Sequence, residues 1–216
     1  MSGAPAQEPV TPYRVPAGVA EAEIREKSSR FLAILTPAPD EETAKTALAE
    51  IERRHPDASH CCFAWRLGQP PRERSSDAGE PAGTAGMPML QVLRGAELSD
   101  VLAVVVRWFG GTKLGKGGLA RAYAAAAREA LAGLPVARRV PTVRRTLELP
   151  YDLLGAVKRL VHPPAVELVD ESYGEQVRLV LQVHTERLEE LEAALANLGL
   201  ATCSRDHAGN GARSGA

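Results

Sequence analysis

The sequence predicts an α+β fold of two layers, divided between two domains, and three observations carry that expectation. Val101–Trp108 is a near-continuous run of apolar β-formers, the pattern of a strand covered on both faces. Strand-like and helix-like periodicities alternate on either side of it. Residues 134–141 then bring a proline at each end and no helical period, which marks a linker, and beyond it the element order changes to βαββαβ.

The elements follow in order. Residues 21–27 and 30–36 read as a hairpin turning about Ser28 and Ser29, its second strand strongly apolar at Phe31, Leu32, Ile34 and Leu35. Asp40 is placed to cap a helix that carries Glu41 and Glu42 in its first turn and Ala44, Ala47, Leu48 and Ile51 on one face, ending at Arg54. Residues 59–67 read as a strand. The charged, proline-rich segment 68–81 is too long for a simple turn and is expected as a functional or mobile crossing. A helix is expected from Thr84 or Gly86 to Arg94, with Pro88 tolerated in the first turn. After Val101–Trp108, a helix over 119–131 aligns Leu119, Tyr123, Ala126 and Ala130.

Past the linker the expected order is strand 143–149, helix 151–161, strands 165–172 and 176–183, helix 186–198 and strand 200–205. Leu188, Leu191, Leu195 and Leu198 supply the apolar stripe of the second helix, with Thr185 to cap it and Gly199 to end it. A small ferredoxin-like domain fits this order. The expected boundaries are domains at 11–136 and 142–206, between disordered tails at 1–10 and 207–216.

Composition excludes several classes. The 216 residues hold 26 Lys and Arg against 27 Asp and Glu, so the chain is no polycation and any nucleic-acid contact must be a local patch. Cys61, Cys62 and Cys203 are too few and scattered for a disulfide framework. There is no signal-peptide pattern and no apolar stretch of about 18 residues, so a cytoplasmic protein without a membrane segment is expected.

The chemistry concentrates where the apolar strand opens into Phe109-Gly-Gly-Thr-Lys-Leu-Gly-Lys-Gly-Gly118 before an alanine-rich helix. Glycines let backbone N–H groups approach a ligand, and a helix N-terminus adds unpaired donors and the positive dipole end. Between Val101 and Arg128 the sequence has five basic residues and no Asp or Glu. The candidate anion-binding set is therefore Arg107, Gly110, Gly111, Lys113, Gly115, Lys116, Gly117, Gly118 and Arg121. Gly110 opens a Walker-like G-x-x-x-x-G-K spacing, but Gly117 stands where a hydroxyl would bind Mg²⁺. Gly115-x-Gly117-x-x-Ala120 lacks the acidic ribose-binding residue that a dinucleotide fold requires.

A second constellation spans residues 75–86. Asp77 and Glu80 suit acid–base work, cation binding or pairing with the basic loop, and Thr84 suits a helix cap; capping and ion pairing are the commoner roles. His60 and Cys62 share a strand face, but two ligands do not hold a zinc, and both cysteines read as small hydrophobes. His60, beside the crossing, reads as a hydrogen-bonded supporting residue. No metal, cofactor or catalytic residue is expected.

Four blocks together, Lys27-Ser-Ser-Arg-Phe31, Ala58-Ser-His-Cys-Cys-Phe-Ala64, Asp77-Ala-Gly-Glu-Pro-Ala-Gly-Thr-Ala-Gly86 and residues 106–123, resemble the YigZ/IMPACT family in its order. The chain departs from the usual family pattern at Cys61, where asparagine is usual, and at Ala78, where a second acid often follows. The resemblance implies an N-terminal ribosomal-protein-S5-domain-2-like domain and a C-terminal ferredoxin-like domain, a pairing that suggests RNA, ribosome or translation-factor partners by fold analogy. Eukaryotic relatives regulate translation initiation through an extra N-terminal domain that residues 1–20 are too short to form.

The expected function is therefore a non-enzymatic protein that binds RNA, a ribosomal surface or another anionic partner. The alternative is a phosphate- or nucleotide-binding enzyme using loop 110–118, with Asp77 or Glu80 as base. A third reading is an adaptor docking a carboxylate-rich surface.

Overall fold

The structure, a computed structural model, describes residues 11–202, which pack as two units, Tyr13–Arg139 and a second beginning at Val140. The first contains β1 (Tyr13–Pro16), β2 (Ala20–Glu26), β3 (Ser29–Pro37), α1 (Glu41–Arg54), β4 (His60–Leu67), β5 (Arg72–Ser76), α2 (Gly86–Gly95), β6 (Val101–Trp108), α3 (Gly115–Ala132) and β7 (Val136–Arg139). Five strands form an antiparallel sheet of order β2-β3-β6-β4-β5, with the apolar β6 at its centre.

Both faces of β6 are covered, as its sequence predicts. Phe31, Ala33, Leu35, Ala64, Ala103 and Val105 face a core closed by Met89 and Leu93 of α2 and by Tyr123, Ala126 and Ala130 of α3. Ile34, Trp65, Leu102, Val104 and Val106 face the other side, where α1 contributes Ala44 and Ile51. The α1 cap forms as expected, Thr43 N–H donating to Asp40 Oδ1 at 2.7 Å.

Four local features of this unit differ from the sequence expectation. The hairpin turns one residue early, at Lys27 and Ser28, whose φ of 44° and 68° give the doubly left-handed two-residue loop that matches strand twist. Ser29 is thereby drawn into β3 and buried. The crossing 68–81 contains β5, whose polar sequence hid an edge strand held by Glu73 between Arg66 and Arg94. The expected linker contains β7, paired with β1 and fastened through Asp100, whose carboxylate accepts from Tyr13 Oη, Arg139 Nη1 and Gly68 N–H. Finally, α3 starts at Gly115 rather than Leu119; glycine's poor helix propensity argues for loop, but the packed face from Leu119 onward propagates the helix back through Gly117 and Gly118.

The second unit runs β8 (Thr142–Leu149), a 3₁₀ turn at Tyr151–Leu153, α4 (Leu154–Lys158), β9 (Val166–Tyr173), β10 (Val177–His184), a 3₁₀ turn at Thr185–Arg187 and α5 (Leu188–Asn197). Its β8-β10-β9 sheet is antiparallel throughout, the 1-3-2 arrangement of a ferredoxin-like domain. Leu147, Leu149, Leu179, Leu181 and Val183 pack under Leu191, Leu195 and Val157. Gly199, at φ 73°, follows the end of α5. Leu200–Thr202 do not continue as a strand, and residues 203–205 of the expected last strand lie outside the described residues, as do both expected tails. Among the described residues no helix is long and apolar enough to cross a membrane.

Candidate functional site

The C-terminal end of β6 delivers Arg107 between His60 of β4 and Phe31 of β3, its register partners. Residues 77–86 fold across this sheet end and bring in Glu80. Glu80 Oε1 accepts from Tyr123 Oη at 2.8 Å and pairs with Arg107 Nη1 at 2.5 Å. Both charges are buried, Arg107 at 5% and Glu80 at 8% exposure. The Arg107 guanidinium lies 5.3 Å from the Phe31 ring and 5.5 Å from the Phe109 ring, and its Nη2 reaches Ser29 Oγ at 3.3 Å. Its Nε is buried without a partner.

His60 joins from the side. Its Nδ1 lies 3.0 Å from Ala78 O, and since a carbonyl can only accept, Nδ1 carries the hydrogen. Nε2 then faces Glu80 Oε1 at 3.9 Å. Cys62 Sγ donates to Asp77 O at 3.0 Å, and burial pushes its thiol up to about 12. Burial likewise pushes the Tyr123 hydroxyl upward, so it acts as a donor rather than a phenolate.

Asp77 has a different task. Its carboxylate accepts from the N–H groups of Gly83, Ala85 and Gly86, which tie the loop to the start of α2. Burial opposes ionisation there, but the three donors together outweigh it and hold the carboxyl below its ordinary range. A carboxylate so satisfied is a poor general base. Thr84, expected as the cap, instead donates its hydroxyl to Pro81 O at 2.6 Å.

The glycine loop packs above this cluster. Gly110 sits so close to the hairpin turn that an added Cβ would lie 2.0 Å from Ser28 O, and Gly111 and Gly115 hold φ of 90° and 72°. Gly117 and Gly118 lie in the first turn of α3, which has no side-chain cap and no acidic residue. Lys113, Lys116 and Arg121 are exposed and make no ion pair among the described residues. The Arg121 guanidinium folds back to within 3.5 Å of the position a Gly117 Cβ would take.

The sequence-predicted residues thus separate into two groups. Lys113, Lys116, Gly117, Gly118 and Arg121 form an uncapped, cationic helix start. Arg107 lies beneath, and the absence of acids along 101–128 does not hold in space, because Glu80 arrives from another loop to neutralise it. Between the groups lies a cleft of about 390 Å³. Its floor is Arg107 with Glu80, its apolar walls are Pro81, Phe109, Leu114 and Leu119, and its rim carries Lys113 and Lys116. Sequence reasoning took Ser29 for a turn residue and treated Tyr123 only as core; a tyrosine in an apolar stripe does signal a buried hydroxyl that needs a partner.

Comparison with known proteins bears on the family and the fold. Residues 27–131 match the Impact N-terminal domain and residues 147–199 match a domain of unknown function, DUF1949. The chain is 37% identical over 174 residues to IMPACT family member YigZ of Escherichia coli strain K12, covering 79% of this chain and 85% of that protein. It is 36% identical over 186 residues to an IMPACT family member of Haemophilus influenzae, covering 85% and 90%. A solved structure described as that of a hypothetical protein superposes with a TM-score of 0.69 at 33% identity, covering 91% of this chain and 98% of the other. With both domains matched in order and relatives covered over most of their length, the chain belongs to the IMPACT family.

Proposed function

We propose that this protein binds RNA through the cationic start of α3, in a role connected with translation. The observation that carries the reading is the first turn of α3, which has neither cap nor acid and is flanked by Lys113, Lys116 and Arg121 without counter-charges. Backbone N–H groups of residues 115–117, which the helix leaves unbonded, are the donors that a phosphate would take up, and the three side chains supply the salt-dependent attraction. Phe109, 48% exposed, is an aromatic beside them, and so small an aromatic supply suits sequence-tolerant contact rather than base reading. Regulation of translation in the cytoplasm is the setting that the family resemblance implies, and the free thiols of Cys61 and Cys62 suit a reducing compartment.

The test is the double variant Lys113→Ala/Lys116→Ala. Each lysine that neutralises a phosphate of single-stranded RNA contributes about 0.7 to the slope of log affinity against log salt, so the slope falls by roughly 1.4. Sedimentation with RNA and with ribosomes across a salt series measures it. Unchanged affinity and slope would refute the proposal.

A further inference from the structure

We infer that the cleft beneath the α3 start is a seat for a nucleoside phosphomonoester, such as the phosphorylated end of an RNA strand. The inference rests on the RNA reading above and adds which part of the polymer enters. Four observations carry it. The start of α3 presents free backbone donors at the rim, between Lys113 and Lys116. In the floor, Arg107 is more than nine-tenths buried, with its Nε unpartnered although Nη1 and Nη2 are bonded. The walls are apolar, with Phe109 exposed as a face for a base to stack on. The volume of about 390 Å³ lies in the range of small-ligand sites, about 300–1,000 Å³, and accommodates one nucleotide rather than a duplex.

Two arguments select a terminus over an internal phosphodiester. The floor is closed, since Glu80 and Arg107 are buried and bonded to Tyr123 and Ser29, so a strand entering the cleft has no exit beneath. A monoester also carries more charge and one more acceptor oxygen than a diester, and an uncapped helix start beside two unpaired lysines rewards both. Because Glu80 already neutralises Arg107, the rim supplies the net positive charge, which places the phosphate at the α3 start and the base against the Phe109 wall.

The test uses the full chain and a short single-stranded RNA of one sequence, labelled internally, ending in hydroxyls, in a 5′-phosphate or in a 3′-phosphate, with adenosine 5′-monophosphate as free competitor. Anisotropy titration should show a phosphate-ended RNA bound roughly tenfold more tightly than the hydroxyl-ended one. Gly117→Asp should abolish that preference: the position is open apart from Arg121, and an acid in the first turn favours the helix while repelling an anion. Phe109→Ala should weaken the phosphate-ended RNA and the mononucleotide alike. Equal affinity for all three ends overturns the phosphomonoester seat and leaves RNA binding standing. Mononucleotide binding that Gly117→Asp abolishes, with no RNA bound, supports the seat and overturns the RNA reading. Binding of neither overturns both.

Discussion

Replacing Glu80 by Gln should lower stability and raise anion affinity together, and the size of both effects follows from the floor of the cleft. The substitution keeps shape and keeps an acceptor for Tyr123 Oη, but it leaves the Arg107 charge, 5% exposed, without its counter-charge. At an effective dielectric of about 20 and a charge separation of about 4 Å, the lost attraction is about 4 kcal/mol, which agrees with the roughly 3–5 kcal/mol typical when one partner of a buried pair is removed. Urea unfolding followed by tryptophan fluorescence isolates the right unit, because Trp65 and Trp108 are the two tryptophans of the chain and both lie in Tyr13–Arg139. The midpoint should fall by more than about 1 M. Arg107→Met on the Glu80→Gln background should recover part of the loss, since an apolar side chain needs no counter-charge. The Glu80→Gln protein that remains folded should bind RNA more tightly at low salt, because the floor has gained a net positive charge. A stability loss below roughly 1 kcal/mol would show that the pair is solvated and that the closed floor is wrong.

Two further outcomes follow from the same geometry. Gly110→Ala should destabilise by about 1–3 kcal/mol or more, because its Cβ would meet backbone at Ser28, whereas Gly117→Ala, in a helix and meeting only the flexible Arg121 side chain at ordinary contact distance, should stabilise by about 0.5–1 kcal/mol; thermal melts of both variants check the contrast. In a Cys203→Ser background, iodoacetamide at pH 8 should leave the native protein unlabelled and label both remaining thiols after unfolding: burial raises Cys61 and Cys62 to about 12, so the thiolate fraction is negligible until the fold opens. Rapid native labelling, read by mass spectrometry, would contradict that burial.

What was legible in the sequence was whatever periodicity or a capping residue writes locally. The central strand β6, the Asp40 cap and the Leu119-Tyr123-Ala126-Ala130 stripe were readable because apolar spacing maps directly onto a buried face. Strands β5 and β7 were not, because both are short edge strands without a buried apolar face, and their pairing is set by partners far away, Arg66 and Arg94 for one and Asp100 for the other. The site divides along the same line. Lys113, Lys116 and the glycines are contiguous and announce themselves, while the Glu80 contact with Arg107 spans 27 residues and the Ser29 contact 78. Charge read along a sequence window therefore overstated the positive field of this cleft by the charge that an opposing loop supplies.

That opposing loop also explains why a buried ion pair stands where an apolar pair would be no less stable. The segment 77–86 has few apolar anchors of its own, and its position is set by polar contacts at its ends: Asp77 on the start of α2, Glu80 on Arg107 and Tyr123. Tyr123 belongs to α3, so one carboxylate fixes the loop against both the central strand and the helix whose N-terminus forms the rim. An apolar replacement would fill the space but would not specify which turn of α3 faces the loop. The depth of the cleft and the placing of Phe109 over Arg107 depend on that register. Glu80 thus lowers the positive charge of the floor and, by the same bond, sets the geometry that the proposed phosphate seat requires.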